Sequence, residues 1–120
     1  MPIALALSLL LAACIDKANV SRPVAQGDAA KGLRIIEQTG CAACHAIPGV
    51  RWPQGRTGGS LAGVGARPLI AGRLPNQPGI MASFVRDAPS LSPDTAMPPM
   101  PLTRTQARDV AAYLYTLDDH

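Results

Sequence analysis

Two cysteines stand three positions apart in this chain, at Cys41 and Cys44, and His45 directly follows the second one. A C-x-x-C-H sequence of this kind is the attachment signal for c-type haem. Helical backbone at this point would set the two sulfurs over adjacent vinyl groups and direct the imidazole at the iron. The motif therefore predicts one covalent haem c, held by Cys41 and Cys44 through thioethers and by His45 through the iron.

Three other roles for the motif fit the sequence less well. A zinc site needs a fourth ligand, but the only other histidine is His120, the last residue of the chain, and the third cysteine, Cys14, belongs to the N-terminal signal described below. A thioredoxin-like redox pair needs a βαβ context, which the sequence does not show. A plain disulfide would leave His45 unexplained.

The composition indicates a small, loop-rich domain with little material for a conventional core. The 120 residues include 12 Pro and 11 Gly, but only one Phe, one Trp and two Tyr. We therefore expect another group to fill the centre of the fold. The formal charge of +3 comes from 9 Arg and 2 Lys among 8 acidic residues, without a basic block, which argues against nucleic acid as a partner.

The N-terminus has the features of an export signal. An apolar run from Ile3 to Leu11 precedes small residues and is too short to be taken as a membrane span. The sequence Leu11-Ala12-Ala13-Cys14 also resembles the lipobox of bacterial lipoproteins, in which the cysteine becomes the lipidated first residue. The alternative is an ordinary cleaved signal with Cys14 as a stray thiol. The predicted divisions are a signal peptide (1–13), a lipidated N-terminus and tether (14–25) and a monohaem domain (26–118).

Two helices should frame the predicted domain. Asp28 can cap a helix over 29–38 that Gly40 ends, just before the motif. Thr103 and Gln106 form a T-x-x-Q capping box for a C-terminal helix. The apolar face predicted for that helix consists of Ala107, Val110, Ala111, Leu114 and Leu117.

A weaker helix pattern lies between these two. It opens at Asn76 or Pro78, and we expect Pro89 to stop it. No stretch alternates long enough to predict a strand. The predicted fold class is therefore all-α, with short helices and long loops wrapped around one haem.

The sixth position of the iron has several candidate ligands downstream of the motif. Met97 lies in the proline-rich stretch SPDTAMPPMP, whose restricted backbone would present a thioether at low entropic cost. Met100 is the competing ligand, Met81 is expected to be core filler, and His120 is expected to be a solvated chain end. Coordination by His and Met raises the reduction potential of a cytochrome haem.

With these elements in place, the chain resembles the class I c-type cytochromes, small soluble electron carriers of respiration, from Ala25 to Leu117. The family's order appears here as DAAKGLRI, CAACH, Thr57-Gly58-Gly59-Ser60-Leu61, Arg67, Met97-Pro98 and Val110-Ala111-Ala112-Tyr113-Leu114. The family's spacing from methionine to tyrosine implies Met97 as the ligand. The stretch RPLIAGRLPNQP with TAMP further resembles bacterial monohaem cytochromes encoded beside terminal oxidases.

One departure from the family pattern concerns Gly59, which replaces the proline of T-G-P-x-L. The proline carbonyl in that family accepts a hydrogen bond from the axial histidine, and the Gly59 carbonyl can still do so. Because glycine gives a looser backbone, we expect a more labile iron environment. Measuring the reduction potential and the ligand-exchange rate of a Gly59→Pro variant would test this.

Other residues can be given roles from their position in the sequence. Gly32 lacks a Cβ, so the first helix could be crossed closely at the ring of Tyr113 and the methyls of Val110. Arg67 and Arg73 could pair with the haem propionates, although loop arginines usually point into water. Trp52 is interpreted as loop packing.

These features predict an electron-transfer protein rather than an enzyme, with outer-sphere transfer through a haem edge near Cys41 and Cys44. Partners would be a donor such as a quinol-cytochrome c reductase or a dehydrogenase and an acceptor such as a terminal oxidase. The chain would act on the periplasmic side of a bacterial membrane, anchored at Cys14 or simply exported, as a monomer or in a complex. The alternatives are a cytochrome subunit of an oxidoreductase or terminal oxidase, and a haem sensor or peroxidase-like protein.

Overall fold

The computed structural model describes residues 23–118, so the predicted signal peptide, Cys14 and His120 lie outside the described part. Its helices are α1 (Ala29–Thr39), α2 (Pro78–Arg86), α3 (Ala88–Leu91) and α4 (Arg104–Tyr115), with 3-10 turns at Cys41–Ala43 and Val64–Ala66. Its strands are β1 (His45–Ala46), β2 (Gly59–Ser60), β3 (Leu69–Ile70) and β4 (Leu74–Pro75). The mostly helical fold with long loops confirms the predicted class, and the two-residue strands are too short for a sequence pattern to reveal.

Both ends of α1 follow from single residues. The Asp28 carboxylate accepts a hydrogen bond from the Lys31 backbone N–H at 3.0 Å, which holds the pKa of Asp28 below its usual value. Gly40 ends the helix in the left-handed conformation, with φ of 81°, and its N–H donates to the Ile36 carbonyl. A residue with a Cβ would be strained there, so the predicted cap and stop are both confirmed.

The capping box of α4 is also confirmed. The Thr103 hydroxyl accepts from the Gln106 N–H at 3.1 Å, and the Gln106 side chain accepts from the Thr103 N–H at 2.9 Å. The predicted apolar face turns inward, with Ala107, Val110, Ala111 and Leu114 all buried. Leu117 lies past the end of the helix and is half-buried.

Close packing of α1 on α4 at Gly32 is confirmed. A Cβ at Gly32 would collide with the Asp109 carbonyl oxygen and would lie 3.1 Å from the Tyr113 Cβ. Asp109 is buried, and its carboxylate accepts from the Asp28 N–H at 2.9 Å. The closest atoms are therefore the Asp109 backbone and the Tyr113 Cβ, rather than the Tyr113 ring and Val110 methyls that the sequence suggested.

The middle helix pattern needs one correction. Its start at Pro78 is as predicted, and Met81, Phe84 and Val85 are buried. Pro89, however, does not stop it: α2 ends at Arg86, and Pro89 lies in the first turn of α3. The first turn of a helix tolerates proline because its backbone N–H groups have no intrahelical partner.

The long segment between the motif and α2 is attached to α4 by a few polar contacts. Buried Asn76 donates through its side-chain amide to the carbonyls of Val64 at 3.0 Å and Arg67 at 2.8 Å. The Tyr115 hydroxyl donates to the Asn76 side-chain oxygen at 2.7 Å. Gly65 N–H donates to the Leu117 carbonyl at 2.9 Å. These bonds place the segment against the end of α4.

The buried apolar residues lie between α1, α2, α4 and this segment. Small and aliphatic side chains predominate among them, and Phe84 and Tyr115 are the only aromatic residues in the buried set of the described part. Trp52 contradicts the prediction of loop packing, because it is 85% exposed. A tryptophan in a loop is buried only if another element covers it, and no described element covers this one.

Candidate functional site

The C-x-x-C-H motif follows α1 without a break. Gly40 turns the chain, and Cys41–Ala43 forms a 3-10 turn in which the Cys44 N–H donates to the Cys41 carbonyl at 3.2 Å. Cys41 is half-buried and Cys44 exposed, and neither forms a disulfide. Burial raises the pKa of the Cys41 thiol. The helical backbone expected at the motif is present.

The ring of His45 is fixed by one hydrogen bond. Its Nδ1 lies 2.9 Å from the Gly59 carbonyl oxygen. A carbonyl can only accept, so Nδ1 must carry the proton, and in the neutral ring Nε2 then keeps its lone pair. This is the tautomer that an iron ligand needs, and the bond to the Gly59 carbonyl also raises the basicity of the ring. The bond expected between His45 and Gly59 is present.

Short parallel strands bring Gly59 to the histidine. His45 pairs with Gly59 and Ala46 with Ser60 in the β1–β2 ladder, and the Leu61 N–H donates to the Ala46 carbonyl at 2.9 Å. The carbonyl that accepts from His45 is therefore set by backbone pairing.

Two further glycines let the loop approach the motif. The Gly58 N–H donates to the Cys44 carbonyl at 2.6 Å, and a Cβ on Gly58 would lie 2.5 Å from the His45 Cε1. The Gly55 N–H donates to the Ala42 carbonyl at 2.9 Å, and a Cβ there would collide with the Ala43 carbonyl. Our interpretation of the sequence gave Gly55 and Gly58 no role, although T-G-x-x-L marked the position of Gly58.

Gly59 itself adopts a backbone conformation that changes the meaning of its departure from the family pattern. Its φ is 77°, whereas proline is fixed near −65°, and its N–H donates to the Arg56 carbonyl at 3.2 Å. A proline here would force a different loop path and lose that bond. Gly59→Pro is therefore unsuitable as a test of iron lability, which stays a prediction.

Arg67 and Arg73 are both exposed. The Arg67 guanidinium donates to the carbonyls of Ser60 at 2.8 Å and Ala62 at 3.1 Å, so it stabilises the backbone just after Gly59. The Arg73 guanidinium lies 3.9 Å from the Asp94 carboxylate, and both side chains are well exposed. Arg67 thus supports the histidine loop, while Arg73 contacts the segment that precedes Met97.

The two candidate methionines lie on one segment between α3 and α4. Met97 and Met100 are both half-buried and pack against the apolar core. The Met97 N–H donates to the Thr95 hydroxyl at 3.2 Å, and the Met100 N–H donates to the Arg86 carbonyl at 3.0 Å. Met81 is 2% exposed, which confirms its role as core filler.

Tyr113 connects α4 to the segment after the motif. Its hydroxyl donates to the Pro48 carbonyl at 2.6 Å, and Gly49 has no room for a side chain because the Tyr113 hydroxyl lies against it. Burial, and secondarily the charge of Glu37, raises the pKa of the Tyr113 phenol. The A-Y-L sequence therefore anchors the chain directly beyond His45.

A sequence profile of the family described as "Cytochrome c" matches residues 29–118, which is most of the chain. The chain belongs to the cytochrome c family. This cytochrome c therefore carries covalent haem c with iron and is an electron-transfer protein. Cys41, Cys44 and His45 would hold the haem, and the bond from His45 Nδ1 to Gly59 fits that group because it leaves Nε2 for the iron.

A curated relative of this cytochrome c is "Cytochrome c oxidase subunit 2" of Alkalihalophilus pseudofirmus. The two are 30% identical over 88 residues, which is 72% of this chain and 25% of the relative. The cytochrome thus spans about a quarter of that protein's length.

Cytochrome c domains typically work outside the cytoplasm. Within residues 23–118, every helix is too short or too polar to span a bilayer. The same residues contain no group of three His, Cys, Asp or Glu side chains able to hold a metal ion by themselves.

Proposed function

We propose that this cytochrome c is a single-haem electron carrier of a respiratory chain, with His45 and Met97 as the two axial ligands. The observation that carries this proposal is the hydrogen bond from His45 Nδ1 to the Gly59 carbonyl, 2.9 Å long. It fixes both the tautomer and the ring orientation of His45, so that the ligand does not rearrange between oxidation states. The bound haem supplies one-electron exchange, and no substrate bond is made or broken.

The protein's contribution is to hold the histidine still and to shield one side of it. Gly58 lies against the ring, and Gly55 and Gly58 tie the loop to the carbonyls of Ala42 and Cys44. Cys44 remains exposed. This combination supports outer-sphere transfer near Cys41 and Cys44, at a surface where a partner can dock weakly and leave quickly.

Met97 is the proposed sixth ligand. It is half-buried against the core, and Pro98 and Pro99 follow it directly, so little backbone freedom is lost when its thioether is held. The spacing to Tyr113 that the class I family implies also favours Met97 over Met100. Arg67 and Arg73 are proposed to face the haem propionates.

A matched pair of substitutions tests the ligand assignment. In Met97→Ala we expect the weak red-edge band of methionine-ligated ferric haem to disappear, the reduction potential to fall and carbon monoxide to bind rapidly. Met100→Ala should keep the band and resist carbon monoxide. The reverse pattern would assign the ligand to Met100, and rapid carbon monoxide binding by the unmodified protein would instead favour a sensor or peroxidase-like function.

We further propose that the chain is exported by residues 1–13, lipidated at Cys14 and tethered by residues 14–25 on the periplasmic side of a bacterial membrane. The L-A-A-C sequence supports lipidation. Durable membrane attachment needs at least two lipid chains or other anchoring signals. A cysteine that carries a diacylglyceryl group and an amide-linked acyl chain would supply them. Mass spectrometry of the mature N-terminus tests this, because an unmodified N-terminus or one that lacks Cys14 would contradict it.

A second candidate function is a cytochrome subunit of an oxidoreductase or terminal oxidase. The relative named as subunit 2 of cytochrome c oxidase favours it, although the match spans only 25% of that protein. Purification from membranes in mild detergent distinguishes the two. A carrier should separate from its donor, such as a quinol-cytochrome c reductase or a dehydrogenase, and from an acceptor oxidase, whereas a subunit should copurify with a fixed partner.

A further inference from the structure

An open groove of about 610 Å³ lies on the side of the protein where the chain enters the domain. Val24, at the start of the described chain, forms part of its wall together with residues of α2, α3 and α4. The entry is fixed there, because the Gly27 N–H donates to the Val24 carbonyl at 3.0 Å and Gly27 has no room for a Cβ beside the Arg108 carbonyl.

Three arginines line the groove, Arg86, Arg104 and Arg108, with Asp87 as the one acidic residue among them. Arg86 and Arg104 are exposed. Within residues 23–118 the only ion pair is the one between Arg73 and Asp94, so none of the groove arginines is paired with a carboxylate there. The groove therefore presents an excess of positive charge to whatever covers it.

The polar contacts of these arginines hold them at the groove without neutralising them. The Arg86 Nε donates to the Leu102 carbonyl at 3.1 Å, and Arg108 donates to the Gln26 side chain at 3.4 Å. Each contact is to a neutral acceptor. Leu91, one of three large apolar residues that are exposed in the described part, also lines the groove.

The motif lies at the other end of α1. This helix has 11 residues, so it separates the chain entry from Cys41 by about 16 Å. A surface that covers the groove would therefore leave the motif end accessible. From Cys14 to Pro23 the chain can reach roughly 30 Å at most, so a lipid anchor at Cys14 would keep the groove close to the bilayer.

We propose that the groove of Arg86, Arg104 and Arg108 binds the headgroups of anionic phospholipids and orients the domain with its motif end away from the membrane. This proposal rests on the proposed anchoring at Cys14 only for the closeness of the groove to the bilayer, and not for lipid binding itself. Charge complementarity, the exposed Leu91 beside the arginines and the short reach from Cys14 all favour a lipid surface over a protein partner.

Vesicle cosedimentation tests the groove separately from the anchor. The haem-loaded chain from residue 14 onward is exported behind an ordinary cleavable signal with Cys14→Ser, and mixed with phosphatidylcholine vesicles that contain or lack phosphatidylglycerol. We expect binding only to the phosphatidylglycerol vesicles, weakened about fivefold for each groove arginine that is changed to glutamine. Inorganic phosphate at equal ionic strength should not displace the protein more than chloride does.

Two variant sets make the result specific. The double variant Arg104→Gln with Arg108→Gln keeps the hydrogen bond from Arg86 to the Leu102 carbonyl, so it is expected to fold like the parent. The absorption spectrum of the haem checks that it has folded. Arg51→Gln with Arg56→Gln removes the same charge outside the groove and should bind like the parent. Equal weakening by both pairs, displacement by phosphate, or no dependence on phosphatidylglycerol would overturn the proposal, while an unchanged haem spectrum would leave the electron-transfer function standing.

The orientation has its own readout in Trp52, the single tryptophan of the chain, which is 85% exposed. Trp52 is close in sequence to Gly55, which is bonded to the motif, and it does not line the groove. Hydroxyl-radical footprinting read by mass spectrometry, which does not depend on fluorescence that the haem would quench, should therefore oxidise Trp52 equally in the free and the vesicle-bound protein. Protection of Trp52 on the vesicles would contradict the proposed orientation.

Discussion

The α1–α4 crossing and the loop 46–77, between the motif and α2, are stabilised differently. At the crossing, two regular helices pack backbone to backbone at Gly32. In the loop, isolated hydrogen bonds and glycine contacts hold irregular chain against the motif and α4. A substitution at the crossing should therefore destabilise the whole domain. The loss of a single loop contact should instead have a smaller and local effect, including on the position of the His45 ring.

The largest effect is expected at the crossing. Gly32→Leu would force a side chain into the Asp109 backbone, and the backbone can yield only if the helices separate. We expect the free energy of unfolding of the haem-loaded protein to fall by about 3 kcal/mol in urea titrations. Gly79→Ala is the matched control, since a Cβ there meets nothing within 4 Å, and it should be neutral or slightly stabilising. Similar losses in both variants would contradict the close crossing.

A smaller loss is expected in the loop at Asn76. Asn76→Ala removes the bonds to Val64, Arg67 and Tyr115 in a buried place, and should lower the free energy of unfolding by about 2 kcal/mol. The neighbouring Gln77→Ala is the control, because Gln77 is exposed and makes no side-chain cap. If the two variants were equally stable in urea, the hydrogen bonds that attach the loop to α4 would contribute nothing to the free energy of unfolding.

Substitutions of the two glycines beside His45 should distinguish a steric clash with the ring from backbone strain. Gly58→Ala places a Cβ against the His45 ring, whereas Gly59→Ala has open space but keeps φ of 77°. We expect Gly59→Ala to lower the free energy of unfolding by about 1 kcal/mol and to leave the absorption spectrum of the ferric haem unchanged. Gly58→Ala should cost somewhat more and shift the spectrum and the reduction potential. A larger spectral change in Gly59→Ala would reverse the assignment of which glycine positions the ring.

The smallest effect is expected at the exposed cap of α1. The hydrogen bond from Lys31 lowers the pKa of Asp28 from 3.8, so its contribution to stability is present above that pH and is lost as the pH falls through the lowered value. Asp28→Ser keeps a capping oxygen that does not titrate. Urea midpoints measured against pH should therefore decline more steeply in acid for the parent than for the variant. Parallel curves would show that the carboxylate charge is irrelevant.

The helical frame could be predicted from the sequence because its signals are local. Asp28, Gly40 and the pair Thr103 and Gln106 act within one turn of the chain, and the buried face of α4 repeats with the helical period. Pro89 was misjudged because a proline after a helix pattern can lie in the first turn of the next helix instead of ending the first one.

The loop was less predictable because its structure depends on contacts between distant residues. The bond from His45 to Gly59 could be anticipated from the resemblance, but the positive φ of Gly59 could not. The fit of Gly58 to the ring and the burial of Asn76 have no periodic signal. Trp52 was interpreted as loop packing, and only the fold shows that no described element covers it.

The central claim is that Cys41, Cys44 and His45, with Nδ1 held by Gly59, carry a covalent and redox-active haem. The most direct test is an optical potentiometric titration of the exported, purified protein, with acid-acetone extraction of a separate sample. We predict that the colour stays with the protein and that the spectrum changes reversibly in one single-electron step, with the methionine band in the ferric form. A colourless but compactly folded protein, or colour that leaves with the solvent, would contradict the claim.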